Sequence, residues 1–559
     1  MKKTLSLIIA ILILFSLAAG CQNNAGNPSS APSTQPVSQS PSSAPSDTDD
    51  EPASKLPLVN EHTSFTMWCS RTFSVQSGLT QWSDADVFKE LERLTNVKAE
   101  TQHPSGGTST ASLEQFNLII TSGEYPDVFF GGTWQGGYDR YIEDDVILEL
   151  SDLLQSHGPD ILANMDMSEV LRRACVTDSG KKPMIPVVQY QSKTGPTAGL
   201  CIREDWLNEL GIAKSSIETY DDLRGVLDQM KSAYGLQYPF GFASIADVFY
   251  GNVSRVYAYG FNAAPAFIYD GDGNMCYGPI QQEYRDFLIT YNGLVKDGYI
   301  DPAVENLRRA DIESEWYNDK IGFGFGMAYY IGGIAAEKGM SLDPDFAIAA
   351  IDEPKFKKGM ELHTGEYHQY NAANYTLNSN ITITTSCKQP ELVMSWFNYC
   401  FTEDGKLLTN YGFEGDTFTY VNGAPLWTDK IANNPDMDLG ATQQRYLWHF
   451  PPFVIFDKEI DTYPDARQRE AVEIWQSSSD HAWCLPLGYT YTADESVEYT
   501  AIYGDLATYM LECTSRFMVG IEDPNDDAAW NAYVNQTVSM KLDRLLEIVD
   551  AACDRYYQR

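Results

Sequence analysis

The sequence is short of positive charge. It has 39 Lys and Arg against 77 Asp and Glu, a formal net charge of -38. Nucleic-acid phosphates are held by clustered Lys and Arg, so no nucleic-acid partner is expected. Marks of catalysis are missing too. There is no HExxH, no GxSxG and no Walker A pattern, and "GFGFGM" lacks the GxGxxG spacing of a dinucleotide loop. A glycosidase needs two facing carboxylates, and nothing in the sequence marks such a pair. The 7 histidines are dispersed, and His363 and His368 stand at the wrong spacing for a helical metal pair. The 10 cysteines show no CxxC spacing, which argues against a zinc cluster or a disulfide scaffold. Asp270, Asp272 and Asn274 match the first ligand positions of a calcium loop. Met275 and Gln281 then stand where that loop needs Gly and Glu, so a β-hairpin is expected instead. No enzyme activity, cofactor or metal is expected. Past the N-terminal segment, no apolar run is long enough to span a bilayer.

What the sequence does have begins with "MKKTLSLIIAILILFSLAAGC". Lys2 and Lys3, a short apolar run and the small residues Ala18, Ala19 and Gly20 read as a secretory signal peptide over 1–20. Small residues ahead of Cys21 resemble a bacterial lipobox, although Ala18 stands where Leu is usual. Cys21 would then carry lipid (palmitate among its chains) and become the mature N-terminus. Residues 21–56 are rich in Ser, Pro, Gln and Asn and cannot bury enough apolar surface to offset ordering entropy, so they read as a disordered linker. The expected location is the extracellular face of a bacterial cell membrane, held through the lipid only.

The remaining chain is too long for one hydrophobic core and long enough for two lobes. Strand and helix patterns alternate from "SFTMWCS" through "SDADVFKELERLTNV" (Ser83 as its cap), "VKAETQHP" and "LEQFNLIITSG" to "YPDVFF". This alternation predicts an α/β lobe with a parallel sheet, whose ligands bind beyond the carboxyl ends of its strands. "GLCIREDWLNELGI" gives a further strand and helix, with Glu204, Asp205 and Trp206 opening the helix. Thr219 caps the next helix, and Asn422-Gly423 makes a hairpin turn. After residue 440 the pattern turns mostly helical, with Leu542, Leu545, Leu546 and Val549 on one buried face.

The ordered segments "SGEYPDVFF", "LCIREDWLNELGI…TYDDL", "YGPIQQEYRDFLITYNGLVKDGYIDP", "NYGFEGDTFTYVNGAP" and the C-terminal "FMVGIEDPNDDAAWNAYVNQTVSMKLDRLLEIVDAACDRYY" resemble the extracellular solute-binding proteins, family 1, of bacterial ABC importers, in particular their large Gram-positive lipoproteins. The resemblance implies a two-lobed, type II periplasmic-binding-protein-like α/β fold with a hinge and a helical C-terminal region. By analogy, lobe 1 is 61–190 and 375–425, and lobe 2 is 195–370 and 440–559, with the first crossing near "KKPMIPVV". It also implies a monomer that captures a carbohydrate, mono- or oligosaccharide, and delivers it to an ABC permease. A peptide-binding or sensory lipoprotein of the same fold is the alternative.

Aromatics are abundant, with 34 Tyr, 25 Phe and 11 Trp, and several stand in glycine-rich, polar company. A sugar ring stacks its C–H face on such rings while its hydroxyls take polar partners. The resemblance points to Arg71, Thr133, Trp134 and Asp139 beyond the first and third strands. From the second lobe it points to Phe249, Tyr250, Tyr329 and Tyr330, the last two beside Ala328 where relatives carry Gly-Pro-Trp. Tyr489 and Tyr491 are further candidates.

Overall fold

The computed structural model describes residues 56–559 apart from 72, 74, 105–108, 135–136, 191–197, 243–253, 305–306, 308, 329–330, 332–338, 365–374, 456, 463–464, 478–481 and 487. The signal segment, Cys21 and the linker lie outside the described residues. So do His368, Phe249, Tyr250, Tyr329 and Tyr330. Among the described residues no helix is long and apolar enough to cross a membrane.

Two principal sheets organise the body, each over its own core. The first has six strands in the order β14-β4-β11-β3-β1-β2. They are β1 (Thr63–Cys69), β2 (Val97–Gln102), β3 (Val128–Phe130), β4 (Ile185–Tyr190), β11 (Tyr375–Ile383) and β14 (Phe453–Ile455). β1 runs parallel to β2 and β3, β14 runs parallel to β4, and β11 is antiparallel to both of its neighbours. All of "VFF" in β3 is buried, as expected of a strand covered on both faces. The helix Asp86–Thr95 covers one face with Val87, Phe88 and Leu91 and is closed by Asn96 in the left-handed region. Ser83 is not its cap. A 3-10 turn intervenes and Ala85 takes that place, while the Ser83 amide donates to Thr101 Oγ1 at 3.0 Å.

The second sheet has the order β10-β5-β9-β6, with β5 (Ala198–Arg203), β6 (Phe240–Gly241), β9 (Phe323–Met327) and β10 (Ile348–Ala350). The glycines in and around it answer to close approach. A Cβ on Gly199 would come within 2.4 Å of Trp475 Nε1, and one on Gly324 within 2.6 Å of the Gly241 carbonyl. Trp475 lies flush on the strand and donates to the Leu200 carbonyl at 3.2 Å. The helix Tyr220–Tyr234 packs on this sheet and opens with a capping box between Thr219 and Asp222, which satisfies two orphan amides. The C-terminal helices join the same lobe. Cys513, Phe517, Trp530 and Tyr533 share its core with Leu200, Phe240, Tyr291 and Phe325, and Leu542, Leu545 and Val549 fill a neighbouring cluster with Leu546 partly buried.

Two hairpins complete the strands. β7 (Phe267–Tyr269) pairs with β8 (Met275–Tyr277). In that turn Asp270 Oδ1 accepts the amides of Asp272 at 2.9 Å and Asn274 at 2.8 Å, so the carboxylate closes the hairpin. β12 (Phe418–Val421) and β13 (Ala424–Trp427) turn through Asn422 and Gly423, both at positive φ. None of the nine cysteines from Cys69 to Cys553 is in a disulfide, and all are buried apart from half-buried Cys276.

The chain passes from the first sheet to the second between residues 190 and 198, after "MIPVV" has built β4. It returns before β11. One boundary differs from the sequence expectation. β14 lies within 440–559, the stretch assigned to the second lobe, yet it pairs with β4, and Trp448 and Phe453 belong to the first core. The segment is short and apolar, and only its strand partner decides which lobe it joins.

Candidate functional site

The carboxyl ends of β1, β2, β3, β4 and β14 point to one edge of the first sheet, because these strands all run parallel and only β11 opposes them. After β1 the chain turns at Ser70, whose amide donates to the Phe130 carbonyl at 3.0 Å. After β3 it needs two glycines at positive φ. A Cβ on Gly131 would meet Ser70 Oγ at 2.2 Å, and one on Gly132 would meet the Phe116 ring at 2.5 Å. This tight turn carries Thr133 outward to an exposed position.

The same turn folds Trp134 inward. Its side chain is 8% exposed, boxed by Phe116 at 5.0 Å, Phe129 at 5.6 Å and Tyr141 at 4.9 Å between ring centroids. Its Nε1 donates to Asn380 Oδ1 at 3.0 Å. The expected stacking platform is thus packed within a satellite aromatic core, where it anchors the loop after β3. Context misled here, since a Trp among glycines reads as exposed only until the glycines let it fold back.

Arg71, half-buried, follows the Ser70 turn. Its Cζ lies 4.2 Å from the centroid of the Phe450 ring, a cation–π contact. Among the described residues no carboxylate and no hydrogen-bond acceptor reaches its guanidinium, and burial alone accounts for its lowered pKa. The Arg71 carbonyl accepts Nδ1–H of His103 at 2.8 Å, while His103 Nε2 accepts the Trp82 amide at 3.2 Å. These two bonds require the neutral ring with its proton on Nδ1. Burial accordingly pushes the His103 pKa down to about 4, against the bond to Arg71. His449 packs against Phe450 at 4.2 Å. Burial, then the charges of Lys458 and Arg71, push its pKa down to about 3. His103 and Phe450 were not foreseen. His103 was findable as the residue just past the end of β2, whereas Phe450 arrives from a distant segment with no local signal.

Asp139 and Tyr491 meet elsewhere, on a cavity of about 200 Å³ lined also by Gly137, Thr177, Met184 and Thr490. The Asp139 carboxylate accepts Thr177 Oγ1 at 2.8 Å and Ser179 Oγ at 2.6 Å, with Lys181 Nζ at 3.7 Å. Tyr491 stacks on Tyr499 at 4.5 Å and meets Tyr489 edge-on at 5.6 Å. Its hydroxyl is held neutral by burial and by the neighbouring tyrosines. Asp178, also on this cavity, is gripped by Arg555 at 2.7 Å and Arg559 at 2.5 Å, which ties this loop to the C-terminal helix. Glu204, Asp205 and Trp206 open the helix Glu204–Leu210. Asp205 and Trp206 serve the buried Arg203, and Glu204 faces Arg467 Nη1 at 3.8 Å. Asp205 Oδ2 accepts Arg203 Nη2 at 2.5 Å.

Two α/β lobes, with ligand-type residues at strand ends and on a cavity reaching the C-terminal segment, define a receptor-like binding protein. The chain belongs to the bacterial extracellular solute-binding proteins, whose family model matches residues 76–407. The location that goes with this family is extracellular or at the cell surface.

Solved structures share the fold. The alginate-binding protein AlgQ2, crystallised without calcium, is 21% identical with a TM-score of 0.67, the match covering 89% of this chain and 99% of that one. An extracellular solute-binding protein from Bifidobacterium longum subsp. infantis is 16% identical with a TM-score of 0.70, covering 89% and 98%. The Streptococcus pneumoniae ABC-transporter substrate-binding protein FusA, in complex with kestose, is 16% identical with a TM-score of 0.66, covering 89% and 99%. No curated protein matches the chain.

Proposed function

We propose that the protein captures a carbohydrate reversibly between its two lobes, without chemistry on it, and delivers it to the transmembrane subunits of an ABC importer. It acts as a monomer tethered to the outer face of the membrane through lipid on Cys21. The observation that supports this reading best is the shared character of the structural neighbours. Among them are an alginate-binding protein, a substrate-binding protein in complex with kestose and an N-glycan transport solute-binding protein. Within this chain, an arginine and an exposed threonine at the strand ends, and a tyrosine beside a carboxylate on the cavity, match the mix of apolar and polar contacts that sugar rings take. Arg71, Thr133, Asp139 and Tyr491 are the proposed contacts, with Tyr489 behind Tyr491 and with Phe249, Tyr250, Tyr329 and Tyr330 from the second lobe. Trp134 supports the loop from below.

Thermal melting of the protein against oligosaccharides, amino acids and short peptides tests the reading. A ligand that binds only the folded state stabilises it by about 2.7 kcal/mol at one hundred times its dissociation constant. Stabilisation by one glycan class is the expected outcome. Stabilisation by peptides alone would replace sugar with peptide as the cargo.

A further inference from the structure

Arg71 presents an electrostatic anomaly. In a chain with 77 acidic residues against 39 basic ones, a guanidinium drawn partly out of water ordinarily finds a carboxylate, because an unpaired buried charge is costly. Arg203, Arg285, Arg467, Arg555 and Arg559 all do so. Arg71 does not. The Phe450 ring covers a face of its guanidinium, which leaves the in-plane N–H donors uncommitted.

The surroundings keep that charge uncompensated. His103 is locked neutral by Trp82 and by the Arg71 carbonyl itself, so it adds no charge and fixes the backbone from which Arg71 projects. His449 is neutral as well, under the field of Arg71 and Lys458. Lys458 is 2% exposed and donates to Asn410 Oδ1 at 2.9 Å, which turns its ammonium to an internal partner. What remains for a ligand is one positive charge, planar and forked, at the strand-end edge where solutes bind in sheets of this kind. A fork of that shape pairs two-pronged with a carboxylate.

We propose that Arg71 is an anion subsite and that the captured carbohydrate is acidic, a sugar bearing a carboxylate that pairs with the Arg71 guanidinium on its bed of Phe450. The inference rests on the carbohydrate reading above and narrows it. A doubly charged phosphate ester fits less well, since the neutral histidines supply no second charge.

Isothermal titration of the full chain tests it with short uronic-acid oligosaccharides, the same oligosaccharides with their carboxyl groups reduced to alcohols, neutral oligosaccharides of equal length, and tripeptides. Carboxyl reduction removes the anion and keeps the ring, so only the proposed contact changes. At least one uronide is expected to bind, and its reduced form to bind about 10- to 100-fold more weakly, the range for a lost charge-assisted pair. Arg71→Gln should weaken uronide binding by a similar factor and abolish discrimination between the two forms. Arg71→Lys should recover part of the affinity, because the charge returns without the fork. Unchanged melting temperatures would verify that both variants fold. Uronide and reduced forms binding alike, or Arg71→Gln still telling them apart, would overturn the subsite. Neutral glycans binding while no uronide does would also overturn it and leave the carbohydrate reading standing. Binding of tripeptides alone would overturn both.

Discussion

Arg71 and Arg203 make an instructive pair. Each stands at the carboxyl end of a strand, one in each lobe, and each lays its guanidinium against an aromatic ring, Phe450 at 4.2 Å for Arg71 and Trp206 at 3.9 Å for Arg203. Arg203 is fully buried, closed on its other side by Phe346 at 4.3 Å, and bonded to Asp205 and Asp319. Its charge is spent inside the fold. Arg71 is half-buried and meets no carboxylate among the described residues. The same residue in the same kind of place therefore serves architecture in one lobe and, in the other, keeps its charge without a carboxylate partner among the described residues. What separates the two is whether the following helix supplies a carboxylate.

The largest effect should fall on the saturated member. Arg203→Met leaves Asp205 buried without a counter-charge and should cost about 3–5 kcal/mol, read from the urea midpoint. Replacing Asp205 by Leu in the same chain should restore part of that loss. Arg71→Met breaks no ion pair and should stay within about 1 kcal/mol of the parent. Equal losses at the two sites would dissolve the contrast.

A smaller effect separates support from contact in the loop beside Arg71. Trp134→Phe keeps a buried ring but deletes the Nε1 bond to Asn380, at a cost of about 1 kcal/mol in stability. Solute affinity should be unchanged, and a fall in affinity at unchanged stability would make Trp134 a ligand contact after all.

A further effect is a matter of pH. The folded protein holds His103 neutral down to about pH 4, whereas the unfolded chain takes up that proton near pH 6.5. Between those values the unfolded state binds more protons, so this residue's contribution to stability falls as the pH drops from about 6.5 to 4 and is constant above that window. His103→Gln should flatten that part of the melting-temperature profile. Parallel profiles for parent and variant would show that the Trp82–His103–Arg71 bonds do not set the ring's charge.

Much of the local structure was legible because short-range chemistry decides it. Thr219 and Asp222 make their capping box, Asn422 and Gly423 take positive φ, and the buried run "VFF" sits inside a sheet. The hairpin at Asp270 was legible by the same logic, because a displaced Gly and Glu leave the carboxylate to bond its own turn. The candidate site was readable only in part. The resemblance pointed to Arg71 and Thr133, and both stand just past strand ends, but Phe450 and His449 come from a segment whose apolar pattern suits either sheet, and pairing of β14 with β4 alone brings them to Arg71. Trp134 escaped for the opposite reason. Its neighbours suggested exposure, and the glycine turn that produced the suggestion is also what allows the ring to be buried.

One further consequence is optical. Tyr489, Tyr491, Tyr499 and Tyr503 form a continuous row of rings, with Tyr491 on Tyr499 and Tyr499 on Tyr503 nearly parallel, and the cavity lies against Tyr491. Rings packed this way in a chiral setting couple their electronic transitions. A solute that shifts Tyr491 would therefore alter the near-ultraviolet circular dichroism of the whole row, a label-free readout of whether this cavity is the one that fills.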